Sequence, residues 1–416
     1  MKKEKQHIPA GYKLSPLGPI PEDWEVKRLG EIANKIGDGI HGTPAYTDKS
    51  DYYFINGNNL NDGKIVITEA TKCVPYSEYL KYKKDLTKNT ILISINGSIG
   101  NIALYNEEKV MLGKSAAYIT IPNYKYFYHL LQSTQVLSIF EKELTGSTIR
   151  NLSLDSIRNL KVALPSQVEI DNITRVIDLW DTAISKQAQL VEKLTLRKRG
   201  LMQQLLTGKK RLKGFGGEWK MVKLGEIGTF FKGSGVPKDS ITSEGHKCLT
   251  YGDLYTKYDY VISNVKSFID DNTANNSTRI QYGDICFAGS GETKEDIGKC
   301  AAFIDDQYGY AGGDIIIFRA KESNPITLSY ILNSDSVIRQ KSNMGQGHSV
   351  VHIYPYQLEK LRFKLPPKVE QDTIASILMD ADKEIELAEE KLANLQSQKR
   401  GLMQQLLTGK KRINKN

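Results

Sequence analysis

At 416 residues, with about 150 residues to an ordinary domain, the chain holds two or three folded units, each large enough to bury a core without disulfides or a structural metal. Lys and Arg number 57 against 48 Asp and Glu, a net +9, while 40% of residues are apolar and 25% charged, so wholesale disorder is excluded and a polyanionic partner is suggested. Cys73, Cys248, Cys286 and Cys300 lie far apart with no C-x-x-C, which excludes a zinc ribbon and suits buried reduced thiols in a cytosolic chain.

The basic start, Lys2-Lys3-Glu4-Lys5, is followed by Pro9, Gly11, Pro16 and Gly18 rather than an apolar stretch, so the pattern is not that of a secretory leader. Apolar runs such as Ile91-Leu92-Ile93 are strand-sized and predict no membrane span. After Trp24 and Leu29-Gly30-Glu31-Ile32, a glycine-rich loop runs from Lys35 to Tyr46. Its glycines allow close backbone approach, and Lys35, His41, Thr43 and Tyr46 are candidate contacts for phosphates and base edges. A strand at 88–95 ends in the turn Asn96-Gly97-Ser98, where Ser98 is a further candidate, as is Lys114. Tyr126 to Glu143 reads as a single amphipathic helix, and Gly146-Ser147-Thr148-Ile149-Arg150 closes the region, with Thr148 and Arg150 as candidates.

A long helix is then predicted over about 166–207. Ile170, Ile173, Ile177, Trp180, Ile184, Gln187, Val191, Leu194, Lys198, Leu201 and Leu205 alternate three and four residues apart, which is the seam of a coiled coil. Ser166 to Glu169 reads as a capping box, and Gly208 as the stop, followed by Lys209-Lys210-Arg211, whose charges suit a helix C-terminus.

The second half repeats this plan. Lys198 to Arg211 recurs without change as Lys399 to Arg412, an offset of 201, and Leu164-Pro165 meets Leu365-Pro366 at the same offset. Trp219 and Leu224-Gly225-Glu226-Ile227 match the first opening at an offset of 195. The second seam runs through Gln371, Ile374, Leu378, Ala381, Ile385, Ala388, Leu392, Leu395, Lys399, Leu402 and Leu406, and two matching seams invite pairing. The counterpart glycine loop supplies Lys232, Ser234 and Lys238, the turn Gly289-Ser290-Gly291 supplies Ser290, and the closing segment supplies Ser349 and His352. Thr327 to Lys341 reads as a helix. The identity of the repeated segment beyond its seam positions suggests two equal surfaces for two copies of one partner.

Catalytic patterns are few. Pro366-Pro367 follows Leu365 and opens a helix, unlike the Asn- or Asp-Pro-Pro-aromatic signature of methyl transfer, and no phosphate-binding G-x-x-x-x-G-K-[ST] loop is present. His348 and His352 lack a completing carboxylate, so no metal site is expected, and Asp270-Asp271 and Asp305-Asp306 read as solvated loop acids.

The two W-x-x-x-x-L-G-E-I openings, the glycine-led closings, the L-P helix starts and the K-R-G-L-M-Q-Q-L-L-T-G-K-K-R ends together resemble the specificity subunit of a type I restriction and modification enzyme, over nearly the whole chain. The resemblance implies an α+β chain of two pseudo-symmetric, mainly β target-recognition domains, 1–160 and 213–364, separated by two long antiparallel helices, 161–212 and 365–416. It implies a non-catalytic cytoplasmic protein that reads a bipartite duplex DNA site. Its partners would be two methyltransferase subunits and restriction and translocase subunits, with S-adenosylmethionine, ATP and Mg bound by those partners and none here. An enzyme of another class, or a coiled-coil scaffold binding only proteins, are the competing readings.

Overall fold

The structure, a computed structural model, describes residues 8–144, 151–347 and 349–413. It divides into two compact units, Met1–Ala188 with Glu390–Asn416, and Gln189–Glu389.

In the first unit, β1 (Glu25–Arg28) pairs antiparallel with β6 (Lys161–Leu164), bringing the two ends of the globular domain together before the first long helix. Between them, β2 (Lys35–Asp38), β3 (Thr90–Ser94), β4 (Ile102–Leu104) and β5 (Ala116–Thr120) form an antiparallel sheet of order β2-β5-β3-β4. Every residue of β3 is buried, because both sheet faces are covered. Ile91 and Ile93 enter the core with Trp24, Phe127 and Phe140, while Leu92 points into a second core with Ile55, Leu60 and Leu112.

The segment read as one helix over 126–143 is two, α1 (Tyr124–Leu131) and α2 (Thr134–Leu144). Ser133 interrupts it by accepting the Val136 N–H at its hydroxyl, 3.4 Å, a local alternative to the helical ladder. Then comes α3 (Gln167–Leu205), 39 residues long.

The second unit repeats the order. β7 (Lys220–Lys223) pairs with β14 (Arg362–Leu365), and β8 (Gly228–Lys232), β9 (Asp284–Ala288), β11 (Cys300–Phe303) and β12 (Ile315–Ala320) lie in the order β8-β12-β9-β11, with Val261–Ile262 added parallel at the edge. The short β10 (Ser290–Gly291) pairs with β13 (Val351–His352). The second helical segment is also broken, into α4 (Pro325–Leu332) and α5 (Asp335–Met344), where the Asn333 amide donates to Cys300 O at 2.6 Å and accepts from Cys300 N–H at 3.2 Å. The chain continues into α6 (Lys368–Leu406), also 39 residues.

Of the acids read as solvated, Asp270, Asp271 and Asp306 are exposed and Asp305 is not. Asp305 is 4% exposed, and Lys247 Nζ reaches its two oxygens at 2.7 and 2.8 Å. Asp270 caps a short helix through the Thr273 N–H at 2.8 Å. Cys248, Cys286 and Cys300 are buried and Cys73 half-buried, all as free thiols. Burial pushes the Cys248 thiol up to about 12 and Cys300 to about 11, so both are protonated and unreactive near neutrality. No described helix is long and apolar enough to cross a membrane.

Candidate nucleic-acid interface

Any reading surface on these domains depends on how each is held to its helices. In the first unit, Glu169 at the start of α3 is 4% exposed and accepts the Trp24 indole N–H at 2.9 Å. Arg412, just beyond α6, donates to the same carboxylate from Nε and Nη2 at 2.6 and 2.8 Å and to Asp23 at 2.8 and 2.9 Å. The second unit builds the same clasp from Trp219, Glu370 and Arg211, at 3.0, 2.8 and 2.8 Å. The capping box read at 166–169 is therefore half made. Ser166 accepts the Glu169 N–H at 3.4 Å, but the Glu169 carboxylate turns inward to tryptophan and arginine. Within the first unit the contacts run Glu169 to Arg412 and Asp181 to Lys399, and within the second Glu370 to Arg211 and Asp382 to Lys198, so the helix segments of each unit are antiparallel.

The seam positions lie inward along both helices. Ile177, Leu205, Leu378 and Leu406 are buried, and Trp180, Ile184, Val191, Leu194, Leu201, Ile385, Leu392, Leu395 and Leu402 half-buried. The identical segments also pack within the chain. Leu201, Met202, Leu205 and Leu206 join the core of the second unit, and Leu402, Met403, Leu406 and Leu407 that of the first. Gly208 and Gly409 take φ of +68° and +71°, and a Cβ on Gly409 would stand 2.5 Å from Pro21. Much of the repeated surface is thus fixed by packing inside the chain. Gly200 and Gly401 are the exception, since each has open space where a Cβ would stand.

The glycine-rich loops begin as edge strands. Lys35 lies in β2, exposed and 3.7 Å from Asp85, His41 Nε2 meets Asp38 at 2.8 Å, Thr43 is exposed, and Tyr46 is exposed with its ring edge-on to Phe54. Ser98 and Lys114 are exposed in turns. Lys232 ends β8, exposed; Ser234 is exposed and hydrogen-bonded to Thr278 at 2.9 Å; Lys238 begins a short 3-10 turn. Thr148 and Arg150 lie outside the described residues. Ser349 is exposed, whereas Ser290 is 5% exposed and its hydroxyl meets His352 Nδ1 at 3.0 Å, so Ser290 acts on the imidazole rather than on solvent.

His129, 1% exposed, places Nε2 2.8 Å from Asp178 and Nδ1 3.8 Å from Asp181. This trio has ligand types suited to a metal. Both carboxylates already have cations, however: Lys125 at 3.2 Å from Asp178 and Lys399 at 2.5 Å from Asp181. An ion would have to displace a lysine, so the cluster is better described as an ion-pair network. The hydrogen bond from His129 holds the Asp178 carboxyl below its usual range. The 201-residue offset pairs Asp181 with Asp382 in the sequence, but it gave neither acid a role in a site, and Asp178, Asn96, Asn151 and Tyr354 were likewise not among the candidates.

The chain belongs to the family described as the type I restriction modification DNA specificity domain, which matches residues 21–195 and again 216–397. It is accordingly a specificity subunit, the non-catalytic recognition component of such systems. Among similar chains, one from Methanocaldococcus jannaschii, provisionally named the type I restriction enzyme MjaX specificity subunit, is 26% identical over 437 residues, covering 97% of each chain. The MjaVIII specificity subunit of the same organism is 23% identical, covering 95% of this chain and 94% of that one. The Escherichia coli EcoBI specificity subunit is 30% identical over 48% of this chain and 42% of its own. A crystal structure of the S subunit from M. genitalium shares the fold, with a TM-score of 0.56 at 16% identity over 92% of this chain and 96% of that one.

Proposed function

We propose that each globular domain reads one half of an asymmetric, bipartite duplex DNA site, that α3 and α6 set the undefined gap between the halves, and that the helices dock two methyltransferase subunits. Restriction and translocase subunits complete the assembly, and S-adenosylmethionine, ATP and Mg act in those partners, in the cytoplasm. The carrying observation is that two domains with the same sheet order and the same Trp-Glu-Arg clasp differ in their loop side chains. A constant scaffold with variable exposed loops suits two readers of unlike sequences. Target-recognition domains at 1–160 and 213–364, with helices at 161–212 and 365–416, are the corresponding division of labour.

Docking has its own support. Val168 and its repeat Val369 are 60% and 68% exposed, and Gly200 and Gly401 leave open room on the helices, as a closely packed partner requires. Methylation mapping of cells carrying the chain with its methyltransferase tests the reading. The expected result is one bipartite motif with a fixed gap, and binding that weakens steeply with salt. Sequence-independent methylation, or no DNA binding by the assembled complex, would overturn it.

A further inference from the structure

The two domains hold one backbone junction in common and furnish it differently. Leaving β3, Ile95 donates its N–H to Ser115 O at 3.0 Å and accepts the Leu152 N–H at 2.9 Å. Leaving β9, Gly289 donates to Asp314 O at 2.7 Å and accepts the Ile353 N–H at 3.0 Å. The next residue then bridges the closing segment, Asn96 to Asn151 in the first unit and Ser290 to His352 in the second. These named backbone bonds correspond one to one, while the side chains differ.

In the second unit several hydrogen bonds meet at the junction. Gln346 and His352 exchange backbone hydrogen bonds of 2.9 and 2.7 Å, and Gly347 between them has φ +121°, where a Cβ would stand 2.0 Å from Val350 O. Ser290 pins Nδ1 of the half-buried His352, and the Tyr354 ring stacks beside it at 6.4 Å and 27°. Tyr354 and Tyr356, 44% and 52% exposed, stack in turn at 5.9 Å and 10°. Among the described residues Nε2 of His352 has no hydrogen-bond partner. When the Ser290 hydroxyl donates to Nδ1, Nε2 carries the proton and is a donor. In the first unit Asn151 is exposed at the matching place and offers an amide, which carries both a donor and an acceptor.

We infer that this junction is a base-reading position in both domains: His352, oriented by Ser290, donates to an acceptor edge such as guanine N7 or O6, and Asn151 beside Asn96 pairs with the N6 and N7 edge of adenine. The inference rests on the proposed reading of a bipartite site and assigns its specificity to two matched places. Ser290 is a positioning residue: its loss frees the ring to change tautomer and orientation.

The test uses the full chain co-expressed with its methyltransferase, read by methylation mapping. His352→Asn is expected to change the preferred base at one position of one half-site, toward adenine, and Ser290→Ala to relax that same position. Asn151→His is expected to alter one position of the other half-site. Gel shifts on the original duplex should show affinity falling about tenfold or more for His352→Asn and returning on the altered duplex. A changed motif supports the inference. An unchanged motif, with the variants folded and methylation intact, overturns it while leaving the bipartite reading standing. If the unaltered chain yields no bipartite motif, both fail. Loss of methylation at every site with Ser290→Ala, but normal thermal unfolding, would also count against a role confined to one base pair.

Discussion

Lys399 on α6 reaches Asp181 on α3 at 2.5 Å, and both are only partly exposed, 15% and 41%. Lys198 and Asp382 make the same ion pair in the other unit, each 201 residues from its counterpart. A lysine at a seam position fixes register, because sliding either helix by a turn would strand its charge among apolar side chains.

Lys399→Met alone should therefore destabilise the first unit by about 1–2 kcal/mol, between exposed and buried pairs, and Asp181→Leu added to it should recover much of the loss. Urea unfolding of the singles and the double, taken as a cycle, gives the coupling. Additive effects would show that the pair sets nothing.

The clasp should be more sensitive. Arg412→Ala leaves the 4%-exposed Glu169 with only the Trp24 indole, at a cost of about 3 kcal/mol. Arg412→Lys should recover little, since one ammonium cannot reproduce the fork that meets Glu169 and Asp23 together. Thermal unfolding followed by tryptophan fluorescence reads both variants.

Gly200→Ala and Gly401→Ala should separate stability from assembly. Open space surrounds each Cβ position, so alanine should stabilise each helix by about 1 kcal/mol. If a methyltransferase packs closely there, the same variants should lose co-purifying partner. Higher stability with unchanged assembly would place the docking surface elsewhere.

A fragment ending at Lys213 should pair with itself. Its own Arg211 and Lys198 are identical in kind and spacing to Arg412 and Lys399, so a second copy can supply Glu169 and Asp181 with their cations. Sedimentation equilibrium should show a dimer that Arg211→Ala weakens, and such a dimer should select a symmetric DNA site.

Acid should loosen the first unit. Asp178 titrates below the ordinary 3.8 because His129 hydrogen-bonds its ionised form. A carboxyl depressed in the folded state adds stability above its unfolded value, and that contribution is lost as pH falls through the folded value. The unfolding midpoint should drop below about pH 4, less steeply in Asp178→Asn, and a pH series of melts checks the slope.

The repeat, the seams, the helix stops and the family pattern were legible in the sequence, because an exact 14-residue recurrence and a three-four apolar spacing are local properties of the chain. The breaks at Ser133 and Asn333 were not, since apolar spacing runs through them and the bonds that end each helix lie at one serine and at a distant strand. Nor did sequence show that Asp305 is buried, that Glu169 abandons its cap for Trp24 and Arg412, or that Asn151 and His352 occupy one backbone position. Those facts depend on partners as much as 243 residues away, and only the folded chain decides which charges meet.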